Sequence, residues 1–141
     1  AGALEAAMDI ALRYSGERVQ FGRPIAKFQA VQHMLATMAG HVAGARAAAD
    51  QAVEADGGAP SALRVAIAKS RTGEAAGRGA EVAHQVLGAI GFTREHSLHY
   101  LTRRLWSWRD EFGGEPWWQR RLGREVARIG PDALWPAIVD L

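Results

Sequence analysis

The 141-residue sequence contains no cysteine. That excludes disulfides, thiolate metal ligands and a cysteine nucleophile, and it fits the expectation of a cytoplasmic protein. No apolar run is long enough to cross a bilayer, because Arg, Asp, Glu or His interrupts the richest stretches, so no membrane span is expected. Net charge is nearly lacking too, at +2 with a pI of about 9.5. The surplus arginine gathers in the last third, and so small an excess does not argue for a nucleic-acid partner. No stretch alternates as a strand would, and there is no internal repeat or low-complexity tract. What remains is an ordinary globular composition, 48% hydrophobic and 23% charged, with alanine carrying much of the apolar share. Alanine favours helix and close helix–helix contact. The length suits one domain with a real core.

The dominant period is helical. Leu4, Ala7, Met8, Ala11 and Leu12 recur at three and four, predicting a first helix to about Arg18, broken by Gly22 and Pro24. A second helix is expected from near Lys27 to about Asp56, and a break follows at Gly57, Gly58, Ala59 and Pro60. Ser61 is positioned to cap a third helix that ends at the glycine-punctuated turn Gly88–Thr93. A fourth is expected from about Glu95 to Arg109, and a shorter one from Pro116 to Ile129, with Pro131 and Pro136 bracketing a brief last segment. Ala36, Gly40, Gly44 and Ala47 share a face of the second helix; Lys69, Gly73, Gly77 and Ala80 share a face of the third. Glycine inside a helix costs roughly 1 kcal/mol against alanine, so these faces are expected to meet in an antiparallel pair. The fold class is therefore all-α, an up-and-down four-helix bundle with a short helical C-terminal extension.

The chemistry-bearing residues are few. Arg18 to Ile25 reads either as a turn with solvated charges or as an anion site, with Arg18 making a forked contact to a phosphate. Trp106 to Arg121 interleaves tryptophan with arginine, a pattern of packing or of an oligomer interface rather than of nucleic-acid binding, since Asp110, Glu111 and Glu115 are interspersed. His96 and His99 stand three apart without a further set of ligands, so no metal site is expected.

Tyr14, Glu17-Arg18, Gln20-Phe21-Gly22, Pro24-Ile25, Phe28-Gln29 and Val31-Gln32, followed by Ala68-Lys69 and the run from Ala83 to Glu95, resemble the signature segments of acyl-CoA dehydrogenases, in order and spacing. The resemblance covers nearly the whole chain. It implies that residues 1–141 are the helical-bundle C-terminal domain of such an enzyme, a fragment lacking its upstream domains and inactive by itself. It implies FAD as cofactor, an acyl-CoA thioester as substrate and α,β-desaturation as the reaction. Arg18 would bind the FAD pyrophosphate, Phe21 would pack beside the cofactor, and Gln29 would lie near its adenosine end. Gln85, Val86, Leu87, Gly88 and Ala89 would make a second contact, with the FAD shared across the subunit interface of a homo- or hetero-oligomer.

Two positions depart from the family pattern. Ala89 stands where a second glycine is usual. More consequentially, a glutamate in a Tyr-Glu-Gly-Thr motif commonly removes the substrate α-proton while hydride passes to the flavin, and gap-free counting puts Glu111-Phe112-Gly113-Gly114 on that motif. Phe112, at the glutamate position, cannot accept a proton. Glu111 is then the candidate base in this chain. The alternatives are a glutamate upstream of Ala1 or a non-catalytic helical subunit that completes a partner's FAD site.

Overall fold

The computed structural model describes residues 1–54 and 61–139. The elements are α1 (Gly2–Glu17), β1 (Val19–Gln20), β2 (Arg23–Pro24), α2 (Gln29–Val53), α3 (Ala62–Leu87), α4 (Leu98–Asp110), α5 (Glu115–Ile129) and α6 (Pro131–Val139), with 3₁₀ turns at Ile25–Lys27 and Gly88–Phe92. The all-α class holds. The expected end of the second helix near Asp56 and the break at Gly57–Pro60 lie outside the described residues.

Local chemistry explains the boundaries. Ser61 Oγ accepts the Arg64 backbone N–H at 3.1 Å and caps α3. Gly88, at φ +65°, lets the chain leave the far end of α3. The fourth helix starts at Leu98 rather than Glu95, because the His96 ring accepts the Leu98 N–H at 3.1 Å and satisfies the first turn from outside. Pro136 lies inside α6 instead of bracketing it, so the last segment runs on to Val139.

One irregularity escaped the period count. Val19 pairs with Pro24 and Gln20 with Arg23, making a miniature antiparallel hairpin where no strand was expected. Two residues per strand are too few to show an alternation. The hairpin turns on Phe21 (φ +51°) and Gly22 (φ +76°), the two left-handed central residues of a type I′ turn.

The core runs along α3, which packs on α1, α2, α4 and α5. Ten of the seventeen buried apolar side chains among the described residues are alanines, so the helices approach closely and large side chains fill only a few layers. Leu4, Met38 and Leu98 are the bulky members, each at most 2% exposed. Glu5 pairs with Arg46 at 3.1 Å, Gly44 lies beside Arg71, Gly79 beside Leu4 and Met38, and His84 beside Thr102. These pairings run up, down, up and down through α1 to α4, as the bundle reading requires.

The small-residue faces behave differently from expectation. α2 and α3 are an antiparallel pair, but a methyl built on Gly40 would meet nothing within 4 Å. Gly73 and Gly77 look away from α2; their missing Cβ atoms leave room for Glu115 and Arg109. Gly73 and Gly77 thus form a groove for an ion pair linking α4 to α5.

Candidate functional site

Three groups of residues converge on chemistry. The first is the hairpin. Arg18 caps α1 in an extended conformation, with its N–H bonded to Tyr14 O and its carbonyl receiving Ile25 N–H, both at 2.8 Å. The backbone is thereby pinned on both sides while the guanidinium stays exposed. No carboxylate lies within 4.0 Å of it among the described residues. Phe21 is 92% exposed at the hairpin tip, and Arg23 stacks on Phe28 at 4.3 Å. Gln29, the first residue of α2, is exposed at the same end.

The second group closes α3. Gln85, Gly88 and Ala89 line an open cavity of about 970 Å³ with His84, Phe92, Trp106, Arg109 and Glu115. Val86 and Leu87 do not join them; at 6% and 3% exposure they belong to the core and leave only backbone to offer a ligand. Arg18, Phe21 and Gln29 are not part of this lining. The helix directions put both groups at one end of the bundle without bringing them into one pocket.

Sequence reasoning did not single out the cavity's aromatic wall. His84, 6% exposed, stacks with Phe92 at 4.3 Å and with Trp106 at 5.8 Å, and one of its nitrogens, Nε2, lies 3.0 Å from Thr102 Oγ1. Burial, and secondarily His99, holds its pKa below the ordinary histidine value. An unfolded histidine titrates near 6.5, so just below that pH the unfolded chain binds more protons than the folded one. Stability present above about pH 6.5 is therefore lost as the pH falls through the folded value, by at most about 1.4 kcal/mol per pH unit. Urea midpoints compared at pH 7.5 and 5.5 are expected to drop, and His84→Gln is expected to flatten that drop.

The third group is the turn between α4 and α5. Asp110 O receives Gly113 N–H at 3.2 Å; Glu111 (φ −62°, ψ 134°) and Phe112 (φ +60°) fill the middle as in a type II turn. Lys69 Nζ donates to Glu111 O at 2.7 Å and Trp118 Nε1 to Phe112 O at 3.1 Å. Arg109 and Glu115 flank the turn in a forked pair, with Nη2 to Oε2 at 2.6 Å. That hydrogen bond raises the Arg109 pKa above its ordinary value, so the residue is a permanent cation. Glu111 and Phe112 side chains are both exposed. His96 and His99 bond to local backbone, His99 Nδ1 lying 2.7 Å from His96 O.

Charge decides what each group suits. The cavity lining carries three carboxylates (Glu74, Glu81, Glu115) against two guanidiniums (Arg78, Arg109), a poor seat for phosphate. The hairpin offers an uncompensated arginine next to an exposed aromatic, a good seat for a phosphate beside a flat ring.

The chain is similar to known proteins over most of its length. Residues 1–113 match the family model described as acyl-CoA dehydrogenase, C-terminal domain. The chain is 42% identical over 99 residues to glutaryl-CoA dehydrogenase of Desulfococcus multivorans, covering 69% of this chain and 25% of that protein. The bundle superposes on the ChsE4-ChsE5 complex from Mycobacterium tuberculosis with a TM-score of 0.85 and 33% identity, covering 92% of this chain and 36% of that one. For butyryl-CoA dehydrogenase from Megasphaera elsdenii the TM-score is 0.81 at 30% identity, covering 88% of this chain and 33% of that one. The chain spans about a quarter or less of the length of the first curated relatives it matches.

Proposed function

This chain belongs to the acyl-CoA dehydrogenase family as its C-terminal helical domain, and on that premise we propose that residues 1–141 complete an FAD-dependent enzyme that desaturates an acyl-CoA thioester. The observation that carries the reading is the hairpin, where Arg18 stands free of any acidic partner among the described residues beside a 92% exposed Phe21. In this reading Arg18 forks onto the FAD pyrophosphate, Phe21 packs beside the cofactor and Gln29 lies near its adenosine end. Gln85, Gly88 and Ala89, with the backbone of Val86 and Leu87, make the second contact to a cofactor shared between subunits. Bound FAD supplies the hydride acceptor. This chain's part is to hold it and to shape the wall near the reacting carbons.

Proton removal belongs to Glu111 or to a glutamate outside this chain. A second reading, a non-catalytic subunit in a hetero-oligomer, is favoured by Phe112, which stands at the family's base position with no group that titrates. The similarity to the ChsE4-ChsE5 complex is in keeping with it.

Arg18→Ala in the full-length flavoprotein is expected to weaken FAD binding roughly 10- to 100-fold, the worth of one charge-assisted contact. Arg18→Lys, which keeps charge but loses the fork, should fall between. Flavin absorbance retained after gel filtration measures it, and an unchanged flavin content in Arg18→Ala would refute the reading. Glu111→Gln in the same protein separates the sources of the base: lost turnover with flavin retained assigns it to Glu111, and undiminished turnover assigns it elsewhere.

A further inference from the structure

Among the described residues only two non-glycine residues adopt a positive φ, Phe21 at 51° and Phe112 at 60°, and both are about nine-tenths exposed. Phe21 is accounted for by the cofactor. Phe112 is not. A left-handed backbone costs a residue with a Cβ about 1–2 kcal/mol, and an exposed phenylalanine also forgoes its burial. A type II turn prefers glycine or asparagine at that place, and this turn has glycine only at the two following positions.

The backbone beneath the ring is held in place. Lys69 holds the carbonyl before it, Trp118 holds its own carbonyl, and the Arg109–Glu115 pair fixes both ends of the turn against the glycine groove of α3. A methyl on Gly113 would lie 3.2 Å from the Trp117 ring, so a side chain at the next position would be crowded. A strained, exposed side chain inside an over-determined turn is built to touch something outside the chain. The ring carries no donor or acceptor, so what it touches is apolar. Phosphate and sugar are poor partners for such a ring, and hydrocarbon is a good one.

We propose that Phe112 is a specificity-determining residue, an aromatic wall on an anchored backbone against the acyl carbons nearest the thioester that favours unbranched chains at that position. This rests on the acyl-CoA dehydrogenase reading, in which the turn lies beside the carbon that loses its proton. A ring there competes for the space that a substituent would need, and a methyl group in an apolar pocket changes kcat/KM by roughly 10-fold or more.

The test is Phe112→Ala in the full-length flavoprotein, assayed with hexanoyl-CoA and 2-methylhexanoyl-CoA. The ratio of kcat/KM for the branched over the unbranched thioester is expected to rise at least about tenfold. The urea midpoint should stay put, since alanine carries the same strained φ and the ring has little packing within the chain to lose. An unchanged ratio in an active, flavin-loaded variant would overturn the inference. Wild-type protein that neither retains FAD nor oxidises any acyl-CoA would overturn the underlying reading instead.

Discussion

Leu4→Ala is expected to cost the bundle about 2–5 kcal/mol, the usual range for emptying a buried leucine site. Leu4 is 2% exposed and fills the seam where α1 meets α2 and α3. Its Cδ1 occupies the space that a Cβ on Gly79 would need, with Met38 Cε 3.7 Å from that point. Gly79→Ala should therefore be destabilising as well, by about 1–3 kcal/mol of overpacking, partly offset by about 1 kcal/mol of helix propensity. Leu4 is enclosed and has no free direction in which to yield. Together the two changes should cost less than their sum by more than about 1 kcal/mol, because the new methyl enters the space the leucine leaves. Urea denaturation of the two single variants and the double variant measures this coupling; strict additivity would show that Gly79 is retained for another reason.

Gly73→Ala should release α5 and α6 from the bundle while α1 to α4 stay folded. A Cβ on Gly73 would stand 2.5 Å from Glu115 Oε1, 2.7 Å from its Cγ and 2.9 Å from its Cδ. Glu115 is 8% exposed and tied to Arg109, so moving it both breaks the pair and lifts the start of α5. Breaking a buried pair costs about 3–5 kcal/mol, and the 38% exposure of Arg109, which can rehydrate, reduces that to about 2–3 kcal/mol. α6 has no buried residue and leans on α5, so it should follow. Limited trypsin digestion is the readout: cleavage among Arg120, Arg121, Arg124 and Arg128 should accelerate at least about tenfold relative to wild type. Equal digestion rates, or loss of far-UV helix signal well beyond the share of α5 and α6, would contradict this division.

Much of this was legible in the residues. The apolar period located each helix to within a few positions, because burying one stripe demands it whatever the stripe packs on. Ser61 and Gly88 announced the ends of α3, since capping is chemistry between near neighbours. The run from Arg18 to Gln29 carried the family resemblance, and the hairpin explains its composition: Phe21 and Gly22 are the two left-handed positions of its turn. Less legible were features made by residues far apart in sequence. Gly73 and Gly77 declared a close approach without saying to what; expectation chose α2, and the structure has Arg109 and Glu115. Val86 and Leu87 sat in a motif read as cofactor-contacting, yet the helical period turns their side chains into the core. His84 looked like one letter of that motif until Phe92, Trp106 and Thr102 gathered round it.

The sequence by itself therefore determined the all-α class, the approximate place of each helix, the family and the phenylalanine at position 112, because these depend on local propensity, spacing and residue identity. Only the tertiary structure decided which faces meet, which glycines are spacers for an ion pair, and that the backbone at Phe112 is anchored in a left-handed conformation. The physical reason is that a helix's period sets which side is apolar but not its partner, and a turn's strain becomes visible only when its φ angles and distant anchors are known.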